Sequence, residues 1–415
     1  MLGTNVNNLH FRSAAETRAV RNVPKFLFGV WIVYLLLSPF YVLHSGLPQP
    51  ADVTLLLGII PAMFFISTNP RTRLDLTYLV GFSFAVLTVV INGIYFLFYN
   101  EPKLMFASMF YFYNFLVFCF VVFLFQISPK LMNYGTYLAL AAIIIVQFII
   151  VYFVDTAGVR HEGTFNNPNQ LAYWALLMGA MLIVLKRSSS LNLLDMALFS
   201  MLAYIQTQSL SKAGLITFGL LVLLMAFSPV ANKKLKAIFL MLLCVFTITK
   251  VTAPVETRLI ITATDNIEAV TQRLGEIGVD RDDSALGRGY GRLLEYPAYL
   301  LGGAGEGAHW RFNARQELHS GIATILFSYG ILGFTLFGLF VVLVFRHAPL
   351  YYGVLMIPIV LYGLTHQNFR NTGFWIFLAL CYSYTYFKKA TEGERAQKKN
   401  HRLDFFIKDS ETAGR

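Results

Sequence analysis

The sequence predicts an all-α integral membrane protein of about twelve transmembrane helices, with one large loop between the ninth and the tenth. Three observations carry this. Of 415 residues, 56% are hydrophobic and 13% are charged, where about a quarter would be charged in a soluble globular domain. Apolar stretches recur at the length needed to cross roughly 30 Å of hydrocarbon. A single long polar segment, residues 253 to 318, interrupts them, and its basic residues are all arginine: Arg258, Arg273, Arg281, Arg288, Arg292, Arg311 and Arg315. Arginine presents a planar fork of donors that fits phosphate oxygens two at a time, whereas lysine is a mobile point charge. The segment is therefore expected to handle phosphate.

Taken in order, residues 1 to 25 form a polar tail. No small-residue cleavage site follows the first apolar run, which predicts an anchor that is retained. Spans one to nine fill residues 26 to 252, at 26 to 43, 51 to 67, 76 to 99, 104 to 127, 134 to 154, 170 to 185, 192 to 208, 213 to 228 and 235 to 252. Spans ten to twelve fill 319 to 387, at 319 to 345, 350 to 365 and 373 to 387, and residues 388 to 415 are a basic tail. Lysine and arginine are biased toward the cytoplasm in short loops. With the amino terminus inside, Arg71, Arg73, Lys130, Lys186, Arg187, Lys233, Lys234, Lys236 and Arg346 are inner, and outnumber Lys103, Arg160, Lys212 and Arg370 on the outer side. Both tails are then cytoplasmic and the arginine loop is periplasmic in a bacterium with two membranes. The net charge of +11 thus reflects orientation and contact with the lipid bilayer, with no nucleic-acid partner.

Several classes are disfavoured. Cys119, Cys244 and Cys381 fall inside predicted spans, which argues for packing and against a disulfide framework. Asp52, Asp75, Asp155 and Asp195 lie near span ends, so the buried carboxylate relay of an ion-coupled transporter is missing from the pattern, as is an internal repeat. A lipid-linked sugar flippase or exporter would need charge along a transmembrane cavity.

Within the loop, residues 264 to 277 read as an amphipathic helix, with Asp265 and Glu268 as a capping pair and Ile267, Val270, Leu274 and Ile277 on one stripe. The acids of Asp280-Arg281-Asp282-Asp283 lack a histidine or a turn glycine at ligand spacing, so they predict a solvated turn and no metal site. Gly287-Arg288-Gly289-Tyr290-Gly291-Arg292 and Gly302-Gly303-Ala304-Gly305-Glu306-Gly307 follow. Glycines let backbone approach a ligand and present N–H groups to an anion, so the pair predicts a diphosphate cradle. The alternative for Arg288 and Arg292 is an ion pair with Glu295 or Glu306. No strand and helix flank these turns as a nucleotide loop requires, and no cofactor is expected.

His319-Ser320, then nine residues, then Gly330-Ile331-Leu332-Gly333 resembles the His-(Asn/Ser)-x9-Gly-x-x-Gly signature of the O-antigen ligase and O-antigen polymerase superfamily. Three further segments resemble that superfamily: Arg160-His161-Glu162-Gly163-Thr164-Phe165-Asn166-Asn167-Pro168-Asn169, Ser209-Leu210-Ser211-Lys212, and the arginine and Gly-x-Gly portion at Arg288, Arg292, Gly303 and Gly305. Lys212 stands where members commonly have arginine. The motifs cover roughly residues 155 to 335.

The resemblance implies a fold like the C-type membrane glycosyltransferases, in a bacterial inner membrane, working without a metal. An acceptor sugar hydroxyl would attack the anomeric carbon of a glycan carried on undecaprenyl diphosphate, with inversion and release of the lipid diphosphate. Arg160, Lys212, Arg288 and Arg292, with Gly303 and Gly305, would hold the leaving group, and His319 would take the hydroxyl proton. The compact glycine-arginine segment looks more like polymerases, which join repeat units, than like ligases, which move finished glycan onto lipid A core or protein. A flippase and a chain-length regulator of the same pathway would be partners.

Overall fold

The computed structural model describes residues 25–44, 46–68, 75–155, 160–187, 190–228, 270–275, 284–314, 317–388 and 391–392. Helix dominates, and no strand occurs among the described residues. The order is α1 (Lys25–Leu37), α2 (Pro50–Thr68), α3 (Leu76–Tyr99), α4 (Pro102–Ile127), α5 (Pro129–Ile149, continued by a π turn at Ile150–Val154), α6 (Pro168–Lys186), α7 (Leu193–Ser209) and α8 (Lys212–Ala226). After the loop come the short α9 (Gly291–Glu295) and α10 (Tyr299–Gly302), then α11 (Gly321–Phe345), α12 (Leu350–Val354), α13 (Met356–Thr365) and α14 (Thr372–Tyr382).

Local chemistry sets these boundaries. Proline, whose missing N–H costs nothing in a first turn, opens α4, α5 and α6. Side-chain oxygens cap exposed first-turn amides: Asp75 accepts from Thr77, Asn167 from Asn169, and Ser320 from Ala323. Asn192 and Asp195 form a reciprocal capping box at α7. The stretch expected at 26 to 43 stops being helical at Leu37, because Pro39 removes a donor and disfavours helix at the residue before it. The chain then folds back, and the Tyr41 amide donates to the Thr164 carbonyl at 3.0 Å.

Among the described residues five helices are long and apolar enough to span a bilayer: α3, α4, α5 with its π turn, α6 and α11. Helices α1, α2 and α8, and the α12–α13 pair, are shorter and apolar. Large hydrophobic side chains such as Leu97 and Phe98 of α3 face outward, while α6 is buried on every side from Leu171 to Leu185, as a helix apolar all round must be. Helices α5, α7, α8 and α14 surround it, and α4 joins α14 to the α3–α11 pair. These are the features of an all-α, multi-pass membrane protein. Cys119 and Cys381 are buried free thiols. The ninth apolar stretch, Cys244, the Asp265–Glu268 pair, the 280–283 turn, Arg258, Arg281, Arg315, residues 1–24 and residues 393–415 lie outside the described residues, and of the amphipathic segment residues 270–275 are described and helical.

The end of the large loop, from 284 to 314, packs into a core of its own. Ala304, Phe312, Leu318, Ala323 and Phe327 are buried together, with Tyr290, Tyr296 and Tyr299 against them. It docks on a break in α11, where Gly330 takes φ 65 and ψ −174. A Cβ at that position would collide with the Leu301 carbonyl oxygen, so only glycine allows the two backbones to meet.

Candidate functional site

A cavity of about 380 Å³ lies where the loop meets the bundle, with walls from α1, α2, α4, α6, α13 and α14. His319 lines it, together with Asp52, Asn169, Trp174, Tyr362, His366 and Arg370. Of these, the catalytic role expected from the sequence falls on His319 alone.

The Arg160–Asn167 element is a closed turn that aims its arginine at this end of the bundle. The Asp155 carboxylate accepts from the Glu162 and Gly163 amides at 2.8 Å each, the Thr164 hydroxyl donates to the Pro39 carbonyl at 2.7 Å, and Asn167 caps α6. Gly163 adopts φ 61, which explains the glycine of the motif. Arg160 then donates through Nε to the Ser209 carbonyl and through Nη2 to Asn169 Oδ1, both at 3.1 Å. Asn169 in turn receives the Tyr362 hydroxyl on its own carbonyl at 2.7 Å.

Arg288 reaches the same place from the loop. Its Nη1 donates to the Thr365 carbonyl, and the neighbouring Tyr290 hydroxyl donates to the Leu364 carbonyl at 2.6 Å. Both Arg160 and Arg288 lie close enough to Tyr362 to act on its hydroxyl electrostatically. The His319 amide donates to the Arg288 carbonyl at 3.1 Å, so the histidine backbone is locked to the arginine backbone. Burial lowers the Arg160 pKa and nearby Arg273 adds to that, against Tyr362 and Glu162. Arg160 and Arg288 thus lie beside Tyr362, and Tyr362 and His319 both line the cavity.

The other residues expected at the site go elsewhere. Arg292 borders a separate small cavity of about 30 Å³ with Gly305, Glu306, His309 and Glu317. Burial lowers its pKa, and Glu317 and Glu295 oppose that shift. Gly303 and Gly305 adopt φ 83 and 70, but their amides donate to Tyr299 and Ser328 carbonyls at 2.8 and 2.9 Å. These glycines permit backbone contact with α11, and the N–H groups expected to cradle a diphosphate are taken up inside the protein. Arg311 likewise ties the loop down, donating to the Ala304 and Ala308 carbonyls and covering the Tyr95 and Tyr99 rings. Lys212 sits half-buried in the first turn of α8, after the Ser211 cap and close in sequence to the Ser209 carbonyl that holds Arg160.

The charged centre that sequence reasoning misses is Arg370. Its Nε lies 3.2 Å from Glu306 Oε1 and its Nη2 lies 2.8 Å from Glu317 Oε2. Glu306, 3% exposed, also accepts from the Tyr329 hydroxyl and from Gln367 Nε2 at 2.8 Å each, and its amide donates to Asn92 Oδ1 at 2.8 Å. Burial pushes the Glu306 carboxyl above the ordinary range, opposed by Arg370. Burial also acts on Glu317, but the charge and hydrogen bond of Arg370 outweigh it and hold that carboxyl below the ordinary range. Glu306 therefore pairs with Arg370 and not with Arg288 or Arg292. The one sequence signal for this network is Asn92, a lone amide in the middle of an apolar span.

Among the described residues no group of three or more His, Cys, Asp or Glu is placed to hold a metal ion. Comparison with known proteins gives no match, either to a family model or to a curated protein.

Proposed function

We propose that the chain is an inverting membrane glycosyltransferase of the O-antigen polymerase and ligase type, acting on glycans linked to undecaprenyl diphosphate at the outer face of a bacterial inner membrane. The observation that supports this is the placement of Arg160 and Arg288 beside Tyr362, which lines the same polar cavity as His319, from three segments distant in sequence that each resemble a motif of that superfamily. In the proposed arrangement about twelve spans leave both termini cytoplasmic and place residues 253 to 318 in the periplasm.

The residues divide the chemistry as follows. Arg160 and Arg288 neutralise the charge that gathers on the diphosphate oxygen as its bond to the anomeric carbon breaks and the electron pair leaves with it. Such contacts are strong where water is scarce. His319 takes the proton of the attacking hydroxyl, with a rate benefit of about 10² to 10⁴ for a well-placed base. A histidine suits this task because a neutral imidazole offers a ring nitrogen that can accept the proton. Arg370, clamped by Glu306 and Glu317, has its charge taken up by those carboxylates and ties the loop to the turn before α14.

Repeat-unit polymerisation is the favoured outcome, from the compact glycine-arginine segment. Deleting the gene and separating the surface glycan on a gel tests it. Single capped units without polymer are expected; loss of all capping identifies a ligase instead, and an unchanged glycan profile contradicts both.

A further inference from the structure

We propose that the α2 and α6 wall of the main cavity is a sugar-ring subsite, in which Asp52 and Trp174 hydrogen-bond the acceptor glycan. The word acceptor rests on the function proposed above; the subsite itself rests on the following geometry. Trp174 lines the cavity, is 7% exposed, and its indole N–H has no hydrogen-bond partner. A buried donor left without an acceptor costs about 1 to 3 kcal/mol, a cost that an acceptor oxygen on a ligand at this wall would offset. Tyr173, 4% exposed, lines the same wall with its hydroxyl beside Asn368.

Asp52 supplies the complementary acceptor. Its Oδ2 takes the Gln49 amide at 2.8 Å and its Oδ1 takes the Tyr113 hydroxyl at 3.2 Å. Each carboxylate oxygen can accept twice, so both retain capacity toward the cavity, and among the described residues no cation forms a salt bridge with it. Aromatic rings run along the wall: Tyr41 lies 5.1 Å from Phe165, and Phe165 lies 6.0 Å from Trp174, centroid to centroid.

An acceptor carboxylate, a donor N–H and flat apolar faces suit one class of ligand. A sugar ring carries hydroxyls that both donate and accept around its edge, and C–H faces that pack on aromatic rings. At this wall a phosphate would meet the Asp52 carboxylate, so the diphosphate belongs on the arginine side of the site, and a hydrocarbon chain would leave both polar groups unpaired. His319 lines the same cavity, so a ring held here shares its space with the group assigned to take the acceptor's proton.

The test uses the full-length protein in lipid nanodiscs and, as probe, oligosaccharides released by partial acid hydrolysis of the surface polysaccharide of cells that carry the gene. Calorimetric titration should show binding by the unmodified protein. Trp174→Phe and Asp52→Asn should each weaken it about tenfold, the worth of roughly one hydrogen bond to the ligand. Undecaprenyl diphosphate, titrated separately, should bind all three proteins equally and so reports on folding; either variant that keeps it is sufficient to decide. Equal sugar affinity in a variant that still binds undecaprenyl diphosphate would overturn the subsite, as would failure of every fragment to bind the unmodified protein. Sugar binding by a protein that transfers no glycan would instead remove the enzymatic reading and leave the subsite standing.

Discussion

Arg288 and Arg292 look similar along the chain, being four residues apart and each preceded by glycine, yet they serve different surroundings. Arg288 joins Arg160 beside Tyr362, whereas Arg292 faces Glu317 and Glu295 across a small cavity. Arg288→Ala should therefore lower glycan transfer by about 10² or more, the usual loss when a charge-stabilising donor is removed, and Arg288→Lys should restore only part because the fork is lost. Arg292→Ala should stay within about tenfold of the unmodified enzyme on the same scale. Initial rates with purified variants measure this, and equal losses at the two positions would show that the separation has no functional meaning. Arg370 teaches the complementary lesson. It sits in a short loop and reads as one more topological charge, because its partners Glu306 and Glu317 are remote in sequence and only the tertiary fold brings them to 3.2 and 2.8 Å.

Apolar periodicity makes most elements readable from the chain alone, since spans advertise themselves by length and composition. The expected stretch at 76 to 99 coincides with α3, and those at 104 to 127 and 170 to 185 differ from α4 and α6 by a residue or two at their ends. Backbone geometry is what escapes such a reading. Gly330 and Gly333 read as a small-residue face for a neighbouring helix, but at Gly330 the helix breaks, and the partner is the Leu301–Gly305 backbone. Gly330→Ala should then be strongly destabilising, by about 1 to 3 kcal/mol from the left-handed backbone alone, with the contact to the Leu301 carbonyl adding to it. Gly338→Ala on the same helix meets open space and should leave thermal unfolding in detergent unchanged. Similar midpoints for the two variants would mean that the loop does not dock at the break.

For the whole molecule, the lysine and arginine asymmetry yields an orientation that the packing of helices alone does not supply. Cysteines placed at Ser284 and Ser410 in a cysteine-free background should react with an impermeant thiol reagent in intact cells only at Ser284; labelling at Ser410 would invert the topology and move the site to the wrong side. The site itself is half legible in the sequence. Motifs point to Arg160, Arg288 and His319 because short turns carry these residues together with their motif neighbours, but the cavity is assembled from six helices and cannot be read from any one of them. The central claim is that these three residues perform metal-independent transfer with His319 as the base. Its most direct test is turnover of purified protein on undecaprenyl-diphosphate-linked oligosaccharide, with and without EDTA, alongside His319→Ala and a binding measurement with undecaprenyl diphosphate. The account predicts EDTA-resistant transfer that falls by about 10² or more in the variant, with diphosphate binding retained. Near-normal turnover of His319→Ala, or loss of activity of the unmodified protein in EDTA, would contradict it.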